Sequence, residues 1–209
     1  MKTYQIIYYS IIVVGCIVGL SKWGKLQQAT QLGVGLLFYT LISELTAMFV
    51  SKHSESNLWV YHIFIPIQFV IVTYSYWIEL RLGFMKVIIW VFPIVSVFVS
   101  LFVQNSKFPS YAITFSGILY ILWALLFFRE LLIQADEDPV FSYPLFWISL
   151  GWLQFGAITL FPFGIFNYFV KNPLVELVPI FKNFRIGANW VLYSCYCAAF
   201  LSKQKSIFK

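Results

Sequence analysis

Long uncharged apolar runs recur along the chain, parted by short polar breakers. Seven of them approach the roughly 20 residues that a helix rising about 1.5 Å per residue needs to cross a bilayer core. They cover Tyr4–Leu20, Leu32–Val50, Leu58–Ile78, Phe84–Val103, Tyr111–Leu132, Leu145–Tyr168 and Pro179–Leu201. The breakers between them read SKWGK, SKHSESN, ELRLG, QNSKFPS, QADEDP and VKNP. Ser110 and Pro179 suit helix starts, the latter as a first-turn proline. Pro66, Pro93 and Pro162 fall inside runs, where neighbouring helices can satisfy the carbonyls they free and so permit kinks. The pattern predicts an all-α fold: a polytopic membrane helix bundle of seven transmembrane helices. Residues 1–209 form a single domain, because no stretch remains for a separate soluble module.

Composition sharpens this. Hydrophobic residues make up 61% of the chain and charged ones 11%, too few charges to cover a soluble surface. The net charge of +6 sits singly or in pairs at span ends. That is a topology signal, not a phosphate-tracking stripe, and it excludes nucleic acid as a partner. Lys22, Lys25, Arg81, Lys86, Arg129, Lys203, Lys205 and Lys209 fall on one side, against Lys2, Lys52, Lys107, Lys171, Lys182 and Arg185 on the other. The bias grows if Lys182 and Arg185 lie within the last helix. It puts the N-terminus outside and the C-terminus in the cytoplasm. Trp23, Trp77 and Trp147 then mark the inner interface, and Tyr4, Trp59 and Tyr111 the outer one. A multi-pass protein of the cell membrane, the inner membrane of a bacterium, is expected. Lys2 followed by a run containing VVGC loosely matches a lipoprotein cleavage box at Cys16. The run continues to Leu20, so it reads as a first membrane helix rather than a removed signal.

Inside the spans the polar groups stand out. Glu44 lies about 9 Å below the outer end of span 2, and His62 about 6 Å below the outer end of span 3. A short loop joins these spans, so the two side chains are expected at similar depth and within hydrogen-bonding reach. On the last helix, Lys182, Arg185, Asn189, Tyr193 and Tyr196 share one face. Arg185 lies about 9 Å inside if that helix starts at Pro179. Gln68 shares a face with Tyr61 rather than with His62. These positions outline an outward-opening polar cavity with Glu44, His62, Arg185, Asn189, Lys182 and Tyr193 as candidate ligand-binding residues. The alternative is that Glu44 and Arg185 form a pair whose role is to lock helices together.

Other signals carry less. GCIVG, Gly15 to Gly19, suits close helix packing inside the bundle or at a dimer face. GVG at Gly33 to Gly35 opens a membrane span with no strand before it, so it is not a dinucleotide fingerprint. ADEDP, Ala135 to Pro139, reads as a solvated acidic loop. Cys16, Cys195 and Cys197 lie in apolar segments, and the last two point about 200° apart on a helix. No HExxH, GxSxG or P-loop pattern occurs, and two histidines are too few for a haem pair plus a metal site. No cofactor and no metal are expected. The core of the last helix holds no lysine for a retinal Schiff base.

Glu44 in span 2, NLWVYHIFIPIQF (Asn57 to Phe69), PLFWISLGWLQFG (Pro144 to Gly156) and FKNFRIGANW (Phe181 to Trp190) carry a resemblance. Together they resemble a loosely defined group of small, uncharacterised bacterial seven-helix membrane proteins, which are similar to membrane sensory modules associated with signalling kinases. The resemblance covers most of the chain. It departs where the group frequently has an acid and this chain has Gln68. No kinase or other output domain occurs in these residues, so the resemblance implies a separate signalling partner.

The expected function is that of a non-enzymatic, receptor-like or sensory module binding a small or lipid-like ligand in the bilayer. Two alternatives stay open. One is a lipid-acting enzyme using Glu44 and His62 as acid and base, which calls for a second intramembrane carboxylate or a fuller metal set that the predicted spans lack. The other is a structural subunit of a larger membrane complex.

Overall fold

The computed structural model describes residues 3–53, 56–104, 107–134, 139–171 and 178–206, and among these the chain is helical. The long helices are α1 (Thr3–Ser21), α2 (Gln28–His53), α3 (Leu58–Leu80), α4 (Gly83–Phe102), α5 (Ser110–Gln134), α6 (Pro144–Lys171) and α7 (Val178–Leu201). Six of them, α1 to α6, are long and apolar enough to cross a membrane, consistent with a multi-pass membrane protein. Among the described residues α7 does not reach that standard; its first half holds Lys182, Arg185 and Asn189. The acidic run at 135–138, Lys2 and Lys209 lie outside the described residues.

Most of the helices run longer than the apolar pattern predicts. α2 begins at Gln28, and α3 continues past Ile78 to Leu80, taking Glu79 into the helix. Arg81 then ends α3 in the left-handed region, with φ 53° and its N–H donating to the Trp77 carbonyl at 2.8 Å. Pro66 lacks the N–H that the His62 carbonyl of α3 would receive, and beside that gap the Tyr39 hydroxyl of α2 donates to the next carbonyl, Ile63, at 3.3 Å. A neighbouring helix thus supports the backbone of the turn that the mid-span proline loosens.

Packing closes a ring. α1 lies against α2 and α7, α2 against α3, α3 against α5, and α6 against both α5 and α7. α4 stands outside this ring, packed mainly on α3, where Phe69 and Phe92 stack at 3.8 Å between ring centroids. The interior of the ring holds the largest fully buried side chains, including Trp123, Trp152, Tyr76, Tyr120 and Tyr196. Outward faces stay apolar: Trp90 and Ile94 on α4 are 74% and 70% exposed, as lipid contact requires. The small residues sit where helices come closest. A Cβ on Gly19 would stand 2.5 Å from a Val34 methyl, and one on Gly33 would stand 2.9 Å from the Tyr196 ring. GCIVG therefore packs α1 inside the bundle, against α2 and α7.

Candidate functional site

α1, α3, α5 and α7 start, and α2, α4 and α6 finish, at what we call the N-terminal end of the bundle. In the half nearest that end, α1, α2, α3, α5, α6 and α7 enclose a cavity of about 80 Å³ that mixes apolar walls with a cluster of polar side chains. Glu44, Arg185, Asn189 and Tyr193 all line it. The helical face read from α7 thus points into the ring, bringing four of the six candidate residues together. The backbone at Lys182 belongs to α7, but its side chain lies outside the described residues.

Glu44 accepts a hydrogen bond from the Tyr8 hydroxyl of α1 at 3.1 Å. Tyr8 packs edge-on against Tyr193, and the Tyr193 hydroxyl has those of Tyr8 and Thr40 as neighbours. Arg185 does not pair with Glu44, although both side chains face the same cavity. Its guanidinium instead stands beside the Tyr61 hydroxyl of α3. Tyr120 of α5 is 2% exposed and turned into the cavity. Its hydroxyl has Ser116 beside it, yet makes no well-aligned hydrogen bond to the described residues. Gln68 and Thr159 complete the polar lining.

Two further spaces adjoin. A vestibule of about 220 Å³ is walled by Tyr61, Phe108, Phe163, Phe166, Phe181, Phe184 and Arg185. A smaller one of about 70 Å³ lies among Tyr4, Tyr8, Tyr9, Glu44, Arg185 and Asn189. Arg185 borders all three, so it is the junction between a polar interior and an aromatic entrance.

His62 does not join this group, which corrects the expected bond to Glu44. Its Nδ1 lies 2.7 Å from Ser100 Oγ on α4, and its Nε2 lies 3.1 Å from the Lys107 carbonyl. A carbonyl only accepts, so Nε2 carries a proton, and in the neutral ring Nδ1 then accepts from Ser100. The reason is angular. Tyr61, Ile65 and Gln68 form the cavity face of α3, and His62 is turned about 100° from Tyr61, toward α4. His62 therefore fastens the segment between α4 and α5. Asn167 of α6 holds the same segment through the Phe108 carbonyl at 3.0 Å and Ser110 Oγ at 2.9 Å. Between these anchors Phe108 borders both the vestibule and the cavity, its ring 4.7 Å from that of Phe166.

Sequence reading missed Tyr8, Thr40, Phe108 and Tyr120 as cavity residues. Thr40 was within reach, four residues before Glu44 and so on its face of α2. The others come from helix partners that a single chain does not reveal. It also missed Glu79, which is 5% exposed at the opposite, C-terminal end of the bundle. There the segment after α7 crosses the helix ends. Gln204 bonds Gln27, the Lys205 N–H donates to the Ser142 carbonyl at 3.4 Å, and Ser206 Oγ donates to Glu79 Oε2 at 2.8 Å.

No protein-family model, curated protein or solved structure matches the chain.

Proposed function

We propose that the protein is a receptor-like membrane module that binds a small amphiphile between Glu44 and Arg185. The observation that carries this reading is that these opposite charges face one cavity without pairing. Two charges kept only to fix packing are held in contact, because an unpaired buried charge is costly. Here each is instead served by a tyrosine, and the space between them is left to a third party. At about 80 Å³ the cavity has room for a few waters or a small polar head, not for a whole organic ligand. The aromatic vestibule beside it supplies the remaining volume. A ligand with an anionic or strongly accepting group for Arg185, a donor for Glu44 and an apolar tail against the phenylalanines fits both.

In this reading all seven helices cross the bilayer, with the N-terminus outside, so the vestibule opens in the outer leaflet. The basic residues at the C-terminal end face the cytoplasm, where a separate signalling partner would receive the output, and a bacterial inner membrane is the setting. A reporter fused after Lys209 should read as cytoplasmic; an external reading refutes this orientation. The lipid-enzyme alternative loses its pair, because His62 is committed to Ser100 and Lys107. Glu79, the second carboxylate, lies about 26 Å along α3 from His62.

Native mass spectrometry of the protein, released from mild detergent, tests the binding reading. Wild type should carry a stoichiometric small molecule that Arg185→Gln loses while remaining monodisperse. Wild type free of any adduct, or an adduct that Arg185→Gln retains in full, refutes it.

A further inference from the structure

The three spaces that meet at Arg185 differ in chemistry. The smallest, about 70 Å³, sets Glu44 beside Tyr4, Tyr8 and Tyr9, with the Tyr8 and Tyr9 rings edge-on at 5.2 Å. A carboxylate among aromatic rings is the setting that ammonium groups favour. Glu44 has capacity for one: a carboxylate offers about four acceptor sites, and the Tyr8 hydroxyl takes one. The central cavity adds Arg185 and Asn189, one turn apart on α7. A guanidinium presents its N–H donors as a planar fork that matches a carboxylate, and Arg185 makes no ion pair among the described residues. The vestibule is aromatic, walled by Phe108, Phe163, Phe166 and Phe184 among others.

We propose that the ligand is an amino-acid zwitterion with an aromatic side chain, taken from solution. Its carboxylate lies on Arg185 and Asn189, its ammonium on Glu44, and its ring in the vestibule. This rests on the reading that Glu44 and Arg185 bind a small amphiphile, and it names the class. Two unpaired opposite charges on one space call for a ligand that bears both. A molecule with a single charge would leave the other side chain without a partner, which is costly away from water. In an amino acid the two charged groups and the side chain branch from one carbon, as the three spaces here branch from Arg185. Size agrees. At about 220 Å³ the vestibule falls below the roughly 300–1,000 Å³ of drug-sized pockets, so it takes one ring rather than a pair of acyl chains. A ring gains from offset or edge-on contact with such walls beyond the area it buries.

Depth sets this ligand apart from a membrane lipid. Tyr61, Phe181 and Phe184 of the vestibule lie about 5–9 Å from the starts of their helices at the N-terminal end of the bundle. Gln68, Tyr120 and Asn189 of the cavity lie about 15–17 Å from the starts of theirs. The apolar part of the site is therefore nearer the bundle end than the charged part. A lipid held there would have its head below its chains, the reverse of its orientation in a leaflet. A zwitterion arriving from water has no such constraint.

The test is calorimetric titration of the purified protein in mild detergent with L-phenylalanine, L-tyrosine and L-tryptophan. At least one should bind one to one. Relatives that each lack one element are then compared with it; for phenylalanine they are 3-phenylpropanoate, 2-phenylethylamine and L-alanine. Loss of either charge should weaken binding at least about 30-fold, and loss of the ring at least about tenfold. Glu44→Gln should erase the preference over 3-phenylpropanoate, and Arg185→Gln the preference over 2-phenylethylamine. If either variant fails to fold, the wild-type series carries the test alone. A single-charge relative that binds wild type as tightly as the amino acid overturns the proposal, as does the absence of binding by all three amino acids. A co-purifying molecule that lacks the amine or the carboxylate, a phospholipid included, overturns it too, while leaving the amphiphile reading in place. Wild type with neither an adduct nor a titration refutes both.

Discussion

If Glu44 and Arg185 share a cavity rather than a bond, removing one should hardly alter what the other contributes. Glu44→Gln keeps an acceptor for the Tyr8 hydroxyl and gives up a charge-assisted bond for a neutral one. That exchange costs about 1 kcal/mol. For a chain of this size, 1 kcal/mol lowers the apparent Tm by about 2–4 °C. Arg185→Gln should cost a similar amount, since its neighbour Tyr61 loses a cation and keeps an amide. Across a gap of one or two waters, with screening between that of a protein site and that of bulk water, the coupling between the two charges should stay at about 1–2 kcal/mol. A buried contact pair behaves differently. Either single substitution would then cost about 3–5 kcal/mol, and the second would cost little more once the first was made. The assay is a double-mutant cycle in detergent, read through the fluorescence of the eight tryptophans as a function of temperature and of SDS fraction. A coupling energy of about 3 kcal/mol or more refutes the open-cavity reading.

Three further outcomes follow from the packing. Gly19→Ala drives a Cβ to 2.5 Å from Val34, a stiff, fully buried side chain. Overpacking at about 1–3 kcal/mol outweighs the gain in helix propensity of about 1 kcal/mol, so Tm should fall. Gly35→Ala, with nothing within 4 Å, should not lower it, and equal shifts in the two would contradict the packing described. His62→Phe removes the bonds to Ser100 and Lys107, so hydrogen exchange at 107–110 should rise while the surroundings of Glu44 keep their protection. Faster exchange around Glu44 instead would mean that His62 supports the cavity after all. Phe108→Ala removes a wall between vestibule and cavity, so a cysteine at Asn189 should react faster with a water-soluble maleimide than in the Phe108 parent, both measured with the native cysteines replaced. An unchanged rate would show that Phe108 does not limit access.

The helices were legible because a bilayer imposes one strong requirement, an apolar stretch of fixed length, and the runs around Pro66, Pro93 and Pro162 meet it. The polar face of α7 was legible for a related reason: helical periodicity alone puts Arg185, Asn189 and Tyr193 on one side. Partners were not. His62 and Glu44 have matching depths, and depth says nothing of rotation. A turn of about 100° about α3 sends His62 to Ser100 and gives the cavity to Tyr61 and Gln68. Glu79 was hidden by its place beside Arg81, in a stretch that reads as a polar breaker. It becomes an interior group because α3 runs on to Leu80 and the segment after α7 covers it. Tyr8 and Tyr120 escaped because tyrosines abound in this chain and only three-dimensional packing distinguishes the ones that line a cavity.

The most direct test is an experimental density map of the protein in a lipid nanodisc, examined between Glu44 and Arg185. The account predicts a carboxylate and a guanidinium held apart, with density for a bound molecule or ordered water bridging them and extending toward Phe108 and Phe184. A direct Glu44–Arg185 ion pair that closes the cavity would contradict it.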